Sequence, residues 1–311
     1  MRIIRGIHNL KQINFNSVIS IGNFDGVHLG HRKLLFEVYN MGKKTNLSTI
    51  VILFEPQPLE FFKNHNPPKR ITTFREKIKY IQLYKIDIVL CIKFNIIFAN
   101  LSAEQFITQI LVKKLNVKFI IIGTDFKFGS QRDGNISLLK KNSKKYKFNV
   151  IEVQSLYINN IRASSTNIRR YLSEHNMKLA KLLLGRPFSI IGRVVHGDHI
   201  GRTLGYPTAN IKLHSNIPIN NGVYAVKVNY KHTYFGICNI GVKPSYTNML
   251  KNKILEVHLF DTNINLYHKK IEVLFYKKIR NEYFFESIQK LKEQISKDIT
   301  IVKKYFHIFN C

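Results

Sequence analysis

From residue 17 onward the chain repeats one pattern: a short run of branched apolar residues, then a longer stretch whose apolar positions recur three and four apart. The runs fall at 17–22, 48–54, 87–92, 118–123 and 148–153, each bounded by Gly, Pro or polar residues, and read as buried strands. The stretches near 30–43, 74–84, 103–114 and 136–146 read as helices. Ser102, with Gln105 three positions on, forms a capping box at the third of them. This alternation predicts a parallel sheet covered on both faces, with ligands bound beyond the carboxyl ends of its strands. Two further helical stretches, 164–174 and 176–184, lead to Leu184-Gly185-Arg186-Pro187, where the pattern breaks. Beyond it, segments near 188–195, 222–229, 233–240, 254–260 and 270–276 alternate apolar and polar residues between Gly or Asn turns. They predict a small antiparallel barrel, closed by a helix over 283–296. The expected domains are therefore 1–184 and 185–311.

A length of 311 residues agrees with two domains. No run approaches the roughly 18 apolar residues of a membrane span, and the start lacks the apolar stretch of a signal peptide. Cys91, Cys238 and Cys311 have no short spacing, so neither a disulfide framework nor a zinc knuckle is expected, and a reducing cytoplasm is the default. The net charge of +30 invites a nucleic-acid partner. Its distribution argues against one: residues 1–180 carry 29 basic and 11 acidic side chains and residues 181–311 carry 20 and 8, so neither half concentrates the charge. Runs such as Lys140-Lys141-Asn142-Ser143-Lys144-Lys145 read as solvated faces. Anionic small molecules remain suitable substrates.

Chemistry first concentrates after the strand at 17–22, in Gly22-Asn23-Phe24-Asp25-Gly26-Val27-His28-Leu29-Gly30-His31. Glycines 22, 26 and 30 permit a tight turn and close backbone approach. The following helix offers free N–H groups and the positive end of its dipole, which favour phosphate. His28 and His31 lie three apart on one helical face and can meet one anion as charge builds at phosphorus. A second anion site is suggested by Ser164, Ser165 and Thr166 before a helix, with Arg169 one turn in. Gly123-Thr124-Asp125-Phe126-Lys127-Phe128-Gly129, followed by Arg132 and Asn135, closes the strand at 118–123, where a substrate loop or a simple turn belongs.

The second half has no Gly-x-x-x-x-Gly-Lys-[Ser/Thr] string, so phosphoryl transfer there is not of Walker type. It offers instead the glycines 197, 201 and 205 of a flap, then Pro207-Thr208-Ala209-Asn210. Thr208 and Asn210 alternate onto one side of an extended chain and supply oxygens of the kind Mg²⁺ takes beside nucleotide phosphates. Glu256 sits in a strand between apolar neighbours.

These strings, in this order and over essentially the whole chain, closely resemble the bacterial bifunctional riboflavin kinase/FAD synthetase family. The resemblance implies an α/β N-terminal nucleotidyltransferase domain of HxGH type, with a Rossmann-like parallel sheet, and a C-terminal antiparallel β-barrel with a closing helix. It implies that the barrel phosphorylates riboflavin with MgATP and the first domain adenylylates FMN with a second ATP. His28, His31 and Glu256 are then catalytic, Glu256 as base. Gly22, Phe24, Asp25, Gly26, Gly30, Ser164, Ser165, Thr166, Arg169, Gly197, Gly201 and Gly205 serve ATP and its phosphates. Asp125, Arg132, Asn135 and Arg280 lie on the flavin side, and Thr208 and Asn210 hold Mg²⁺. Flavins are substrate and product, and neither nucleic acid nor membrane is an expected partner. Lys243 and Ser245 stand where the family usually has Arg and Thr. His268 replaces the usual Gly, a costly change if its turn needs positive φ.

Overall fold

In the computed structural model, residues 1–10, 16–63, 66–197, 200–213, 216–243 and 252–308 are described. The chain divides into two compact units, Met1–Pro68 with Thr72–Ser165, and Lys69–Ile71 with Thr166–Cys311.

In the first unit six strands, β1 (Arg2–Arg5), β2 (Ser17–Ile21), β3 (Ser48–Glu55), β4 (Ile88–Lys93), β5 (Val117–Gly123) and β6 (Asn149–Val153), form one sheet in the order β1-β4-β3-β2-β5-β6. Every pairing is parallel. Alternate residues feed two cores, Ile19, Ile50, Leu90 and Ile120 on one face and Val18, Val51, Val89 and Ile121 on the other, so near-continuous apolar strands are required. The strand order reverses direction between β2 and β5, and a crevice at the carboxyl ends of those two strands is where such a sheet binds ligands. β1 on the sheet's edge had no counterpart among the runs expected from sequence; at four residues, with the burial pattern exposed-exposed-buried-exposed, it lacks a long apolar run.

Helices Leu29–Thr45, Phe74–Gln82 and Ile136–Tyr146 fall where the periodicity places them. The expected helix 103–114 is partly different. Ser102 and Gln105 do form the capping box, but only Ala103–Gln105 is α-helical. Phe106–Val112 is a π-helix, with Lys113 N donating to Thr108 O and Leu115 N to Ile110 O, both at 3.0 Å. A pattern of apolar positions three and four apart fits either winding.

In the second unit β9 (Phe188–Val195), β10 (Ala209–Lys212), β11 (Gly222–Tyr230), β12 (His232–Lys243), β13 (Asn252–Leu259) and β14 (Lys270–Arg280) close a barrel in the order β10-β13-β12-β11-β14-β9. β7 (Tyr157–Ile158) and β8 (Ile161–Arg162) make a separate small hairpin in the first unit. Five of the barrel strands match the expected segments. The sixth, β10, is the short piece carrying Asn210, and it completes the ring by pairing with both β9 and β13. Helices Ser165–Ser173 and Met177–Leu184 also lie in this unit apart from Ser165 itself, and the latter packs on β9 and β14.

The closing helix runs Ile288–Tyr305 instead of 283–296, because Ser287 caps it: its hydroxyl accepts from Lys290 N at 3.2 Å. Arg280 fastens this helix to the barrel, its Nε 2.8 Å from Asp298 Oδ2. The Asp298 side chain is 1% exposed, and Gln294 Nε2 donates to its other oxygen at 2.8 Å. Stranding a buried charge by removing its partner costs about 3–5 kcal/mol, so the pair locks helix to barrel.

His268 has φ +62°, so the turn after Tyr267 does need the left-handed region. A β-carbon there is unfavourable by about 1–2 kcal/mol, partly offset by the greater unfolded freedom of glycine. His268→Gly is expected to raise stability by about 0.5–1 kcal/mol, read as a higher midpoint in urea unfolding. Ser245 lies outside the described residues.

Candidate active sites

The glycine-rich string occupies the carboxyl end of β2, beside the strand-order reversal. Phe24 (φ +47°), Gly26 (φ +82°) and Val27 (φ +40°) all take left-handed backbone, turning the chain sharply into the helix. Such strain persists only where surrounding contacts hold it, and buried Asp25 is the holding group. Its Oδ1 accepts from Thr72 N at 3.0 Å and Thr72 Oγ1 at 3.1 Å, while Gly26 N donates to Thr72 Oγ1 at 2.9 Å. Asp25 therefore anchors the loop, whatever it does for ATP. Ser165 Oγ donates to Asp25 O at 2.9 Å and tethers the serine turn to the same loop.

His28 is the N-cap of Leu29–Thr45: its Nδ1 accepts from His31 N at 3.3 Å. An accepting Nδ1 carries no proton, which leaves the ring hydrogen on Nε2. The two imidazoles stack with centroids 3.6 Å apart and planes 19° from parallel. Gly30 is required for this arrangement, since a Cβ there would lie 2.9 Å from Ala163 O and 3.2 Å from His28 Nδ1. The paired histidines, the helix start and Ser165 are thus brought together. Thr166 and Arg169 fall in the second unit, where Arg169 Nε donates to Lys69 O at 2.6 Å.

At the carboxyl end of β5, Asp125 pairs with Arg162, Oδ2 to Nη2 at 2.9 Å across an exposed surface. Asn135 Oδ1 caps the helix Ile136–Tyr146 by accepting from Leu138 N at 2.9 Å, and Arg132 is exposed with φ +62°. One feature of this edge escaped the sequence reading. Phe54, Phe61, Phe62, Phe94 and Phe98, from the ends of β3 and β4 and the short helices Pro58–Phe62 and Ile96–Ala99 after them, pack ring on ring at 5.3–5.8 Å, mostly edge to face. Phe62 is 62% exposed at the end of that row. The signal was the recurrence of Phe after each strand, hidden among the protein's 22 phenylalanines.

In the barrel a cavity of about 330 Å³ is lined by Gly201, Thr208, Asn210, Glu256 and Arg280. A second, of about 390 Å³, is lined by residues 262–267 with Pro207, Thr208 and Asn210. Thr208 and Asn210 belong to both walls. Asn210 and Glu256 are direct partners in the β10–β13 register, and Glu256 is likewise opposite Asn239 of β12. These three side chains therefore stand in a row on one face of the barrel. Glycine is needed around them: a Cβ at Gly197 would overlap the Asn210 amide, and one at Gly201 would sit 2.5 Å from Tyr206 O and 3.2 Å from Thr208 Oγ1. Gly205 has φ +88° and open space around it, so its requirement is conformational. Arg280 enters the first cavity beneath Tyr283, with its guanidinium 4.6 Å from that ring's centroid and 5.6 Å from that of Phe285. Sequence reasoning named Arg280 but missed Asn239, His258, Tyr283, Phe285 and the whole 262–267 wall. Strand register and a loop's path are three-dimensional facts with no local sequence signal. His258 is half-buried, and burial lowers its pKa, opposed by its hydrogen bond to the Pro207 carbonyl.

The donors at the shared wall, the Thr208 hydroxyl and the Asn210 side-chain carbonyl, are uncharged oxygens of the kind Mg²⁺ takes beside phosphates. An ion here needs phosphate oxygens to complete its shell, the manner in which Mg²⁺ is held in nucleotide-dependent enzymes.

A parallel sheet with paired histidines at a strand-to-helix turn, and a barrel whose two cavities share Thr208 and Asn210, is the kind of arrangement a two-site nucleotide-dependent transferase needs. The FAD synthetase family profile matches residues 10–167 and the riboflavin kinase profile matches residues 184–306. Bifunctional riboflavin kinase/FMN adenylyltransferases from Buchnera aphidicola of Schizaphis graminum and from Escherichia coli K12 are 66% and 46% identical to the chain. They cover 99% and 98% of it, and 100% and 98% of their own lengths are matched. A solved structure described as a macrolide-efflux protein from Streptococcus pneumoniae shares 28% identity over 97% of this chain and 99% of its own, with a TM-score of 0.82. The chain belongs to the bifunctional riboflavin kinase/FMN adenylyltransferase family. It phosphorylates riboflavin to FMN and adenylylates FMN to FAD. Among the described residues no helix is long and apolar enough to cross a membrane.

Proposed function

We propose the following assignment of these two reactions to residues, with the activities divided at 184/185. The single observation that carries it is the Asn210–Glu256 register pair, Asn210 lining both barrel cavities and Glu256 the first. Riboflavin occupies the cavity lined by Glu256, Arg280 and Tyr283, and ATP the cavity lined by 262–267, so the γ-phosphate and the ribityl 5′-hydroxyl meet at Thr208 and Asn210. Glu256 accepts the hydroxyl proton, the ribityl oxygen bonds to the γ-phosphorus, and ADP leaves. Mg²⁺ held through Thr208 and Asn210 neutralises phosphate charge when bound. Gly197, Gly201 and Gly205 let the flap lie close to these residues.

In the first unit a second ATP lies along Gly22–Gly30, its phosphates against the helix start, Ser164 and Ser165. FMN stacks its isoalloxazine on the exposed end of the phenylalanine row, near Asp125, Arg132 and Asn135. An FMN phosphate oxygen bonds to the α-phosphorus of ATP and pyrophosphate leaves. His28 donates from Nε2 to the phosphate oxygens that gain charge, and His31 supports its ring. No activated nucleophile is needed, because alignment and charge offset supply the rate. We place the enzyme in the cytoplasm, a reading supported by the free, buried Cys91 and Cys238.

The test is incubation with riboflavin, ATP and Mg²⁺, followed by chromatographic separation of FMN and FAD. FMN is expected to appear first and FAD second, both suppressed by EDTA and restored by added Mg²⁺. Full turnover of riboflavin in EDTA would overturn the metal assignment.

A further inference from the structure

Thr208 can act as an oxygen ligand only if the backbone leading to it is fixed. That segment enters the short strand β10 after the single helical turn Ile200–Thr203, and Thr208 precedes the first ladder residue, Ala209. Ladder bonds therefore do not hold the peptide that joins Pro207 to Thr208. Pro207 also has no N–H with which to bond. The restraint comes from the neighbouring strand. His258 Nδ1 lies 2.9 Å from Pro207 O, the carbonyl of that peptide. A carbonyl only accepts, so Nδ1 is the protonated nitrogen and donates to it. The ring is itself held: Tyr206 meets it edge to face, with centroids 5.6 Å apart and planes at 84°, and Phe260 packs at 5.9 Å and 63°. His258 also lines the cavity that contains Thr208, Asn210 and Glu256, one residue beyond the strand neighbour of Glu256.

We propose that His258 is a positioning residue for the kinase reaction: through its Nδ1–H bond to Pro207 O it fixes the Pro207–Thr208 peptide, and with it the hydroxyl that ligates the nucleotide-bound Mg²⁺. The inference rests on the assignment of Thr208 and Asn210 to the metal. His258 touches neither metal nor reacting atoms and acts through Thr208. Groups that orient a ligand from behind typically govern 10–100-fold of metal affinity. Their loss weakens metal binding more than it alters the bound complex.

The experiment uses the full chain and two readouts. The first is calorimetric binding of ADP with and without Mg²⁺. The second is the Mg²⁺ dependence of FMN formation. His258→Ala is expected to weaken MgADP binding by about 10-fold or more, to weaken riboflavin binding by clearly less although His258 also lines that cavity, and to raise the Mg²⁺ needed for half-maximal rate by a like factor. His258→Asn, whose Nδ2 can donate in the same place, is expected to recover most of the loss, which a merely space-filling role would not predict. Far-UV circular dichroism and the FAD-forming activity check that each variant is folded. Equal weakening of MgADP and riboflavin binding, or failure of Asn to do better than Ala, overturns the proposal. Asn210→Ala separates the two levels. If it abolishes the Mg²⁺ enhancement of ADP binding while both His258 variants leave it intact, the positioning role fails and the metal assignment stands. If Asn210→Ala and Thr208→Ala also leave it intact, the metal assignment fails and takes the positioning role with it.

Discussion

His28→Ala is expected to reduce FAD formation from FMN and ATP by about 10²–10³-fold while riboflavin phosphorylation stays within about twofold of the parent. The magnitude is that of removing one preorganised donor from a site where negative charge accumulates. The selectivity follows from where the residue lies. His28 caps a helix at the carboxyl end of β2, in the first compact unit, whereas Thr208, Asn210 and Glu256 belong to the other. The ring accepts from His31 N through Nδ1, and in the proposed reaction its Nε2–H is the donor. Alanine removes both. Loss of the cap alone would cost about 1 kcal/mol of stability, too little to unfold a domain built on two apolar cores. His28→Asn separates the two effects, because its side-chain oxygen can cap the helix without reaching as far as Nε2. Asn is therefore expected to restore stability and leave FAD formation low. The measurement is product separation after incubation with FMN and ATP, and in parallel with riboflavin and ATP. Equal loss of both activities in a folded variant would remove His28 from the adenylyl site.

Much of this was legible in the amino-acid sequence, for reasons that differ by element. β2 to β5 were readable because a strand largely buried on both faces must be apolar almost throughout. The helix Ile136–Tyr146 was readable to the residue because polar Asn135 caps it and Lys147 leaves it in the left-handed region. The histidine pair stood out because two histidines bracket a glycine at a glycine-rich strand end, whereas the Pro-Thr-Ala-Asn string stood out only through the family resemblance. What could not be read depends on long-range pairing. The bond from Thr72 to the Asp25 carboxylate, 47 residues away in the chain, is one such pairing. β10 is four residues long, and only its bonds to β9 and β13 make it a strand. The winding of Phe106–Val112 escaped because an i→i+5 helix buries Phe106, Ile107, Ile110 and Leu111 on the same periodicity as an α-helix. The closing helix was placed too early because aromatic Tyr283, Phe284 and Phe285 extend its apolar pattern, although two of them line a cavity and the third is 93% exposed.

Glu256→Gln is expected to lower FMN formation by about 10²–10⁴-fold, the usual contribution of a positioned general base, and to leave FAD synthesis from supplied FMN unchanged. Gln keeps the length of the side chain and its place opposite Asn210 and Asn239 in the barrel register, so the walls of both cavities persist. What it loses is the capacity to take a proton at neutral pH. If Glu256 instead served mainly to bind riboflavin, Gln could still hydrogen-bond the ribityl chain, and the change would fall on KM. If it acted mainly by fixing Asn210, the Mg²⁺ dependence would shift in the same way as in Asn210→Ala. A base predicts neither: kcat falls, KM for riboflavin and the half-saturating Mg²⁺ concentration stay within about threefold, and riboflavin still binds. Continuous measurement of ADP release with riboflavin as substrate reads all three quantities. A kcat within twofold of the parent would show that the 5′-hydroxyl loses its proton elsewhere. The phosphoryl step would then depend on alignment at Thr208 and Asn210 alone, since a loose transition state places little demand on a base.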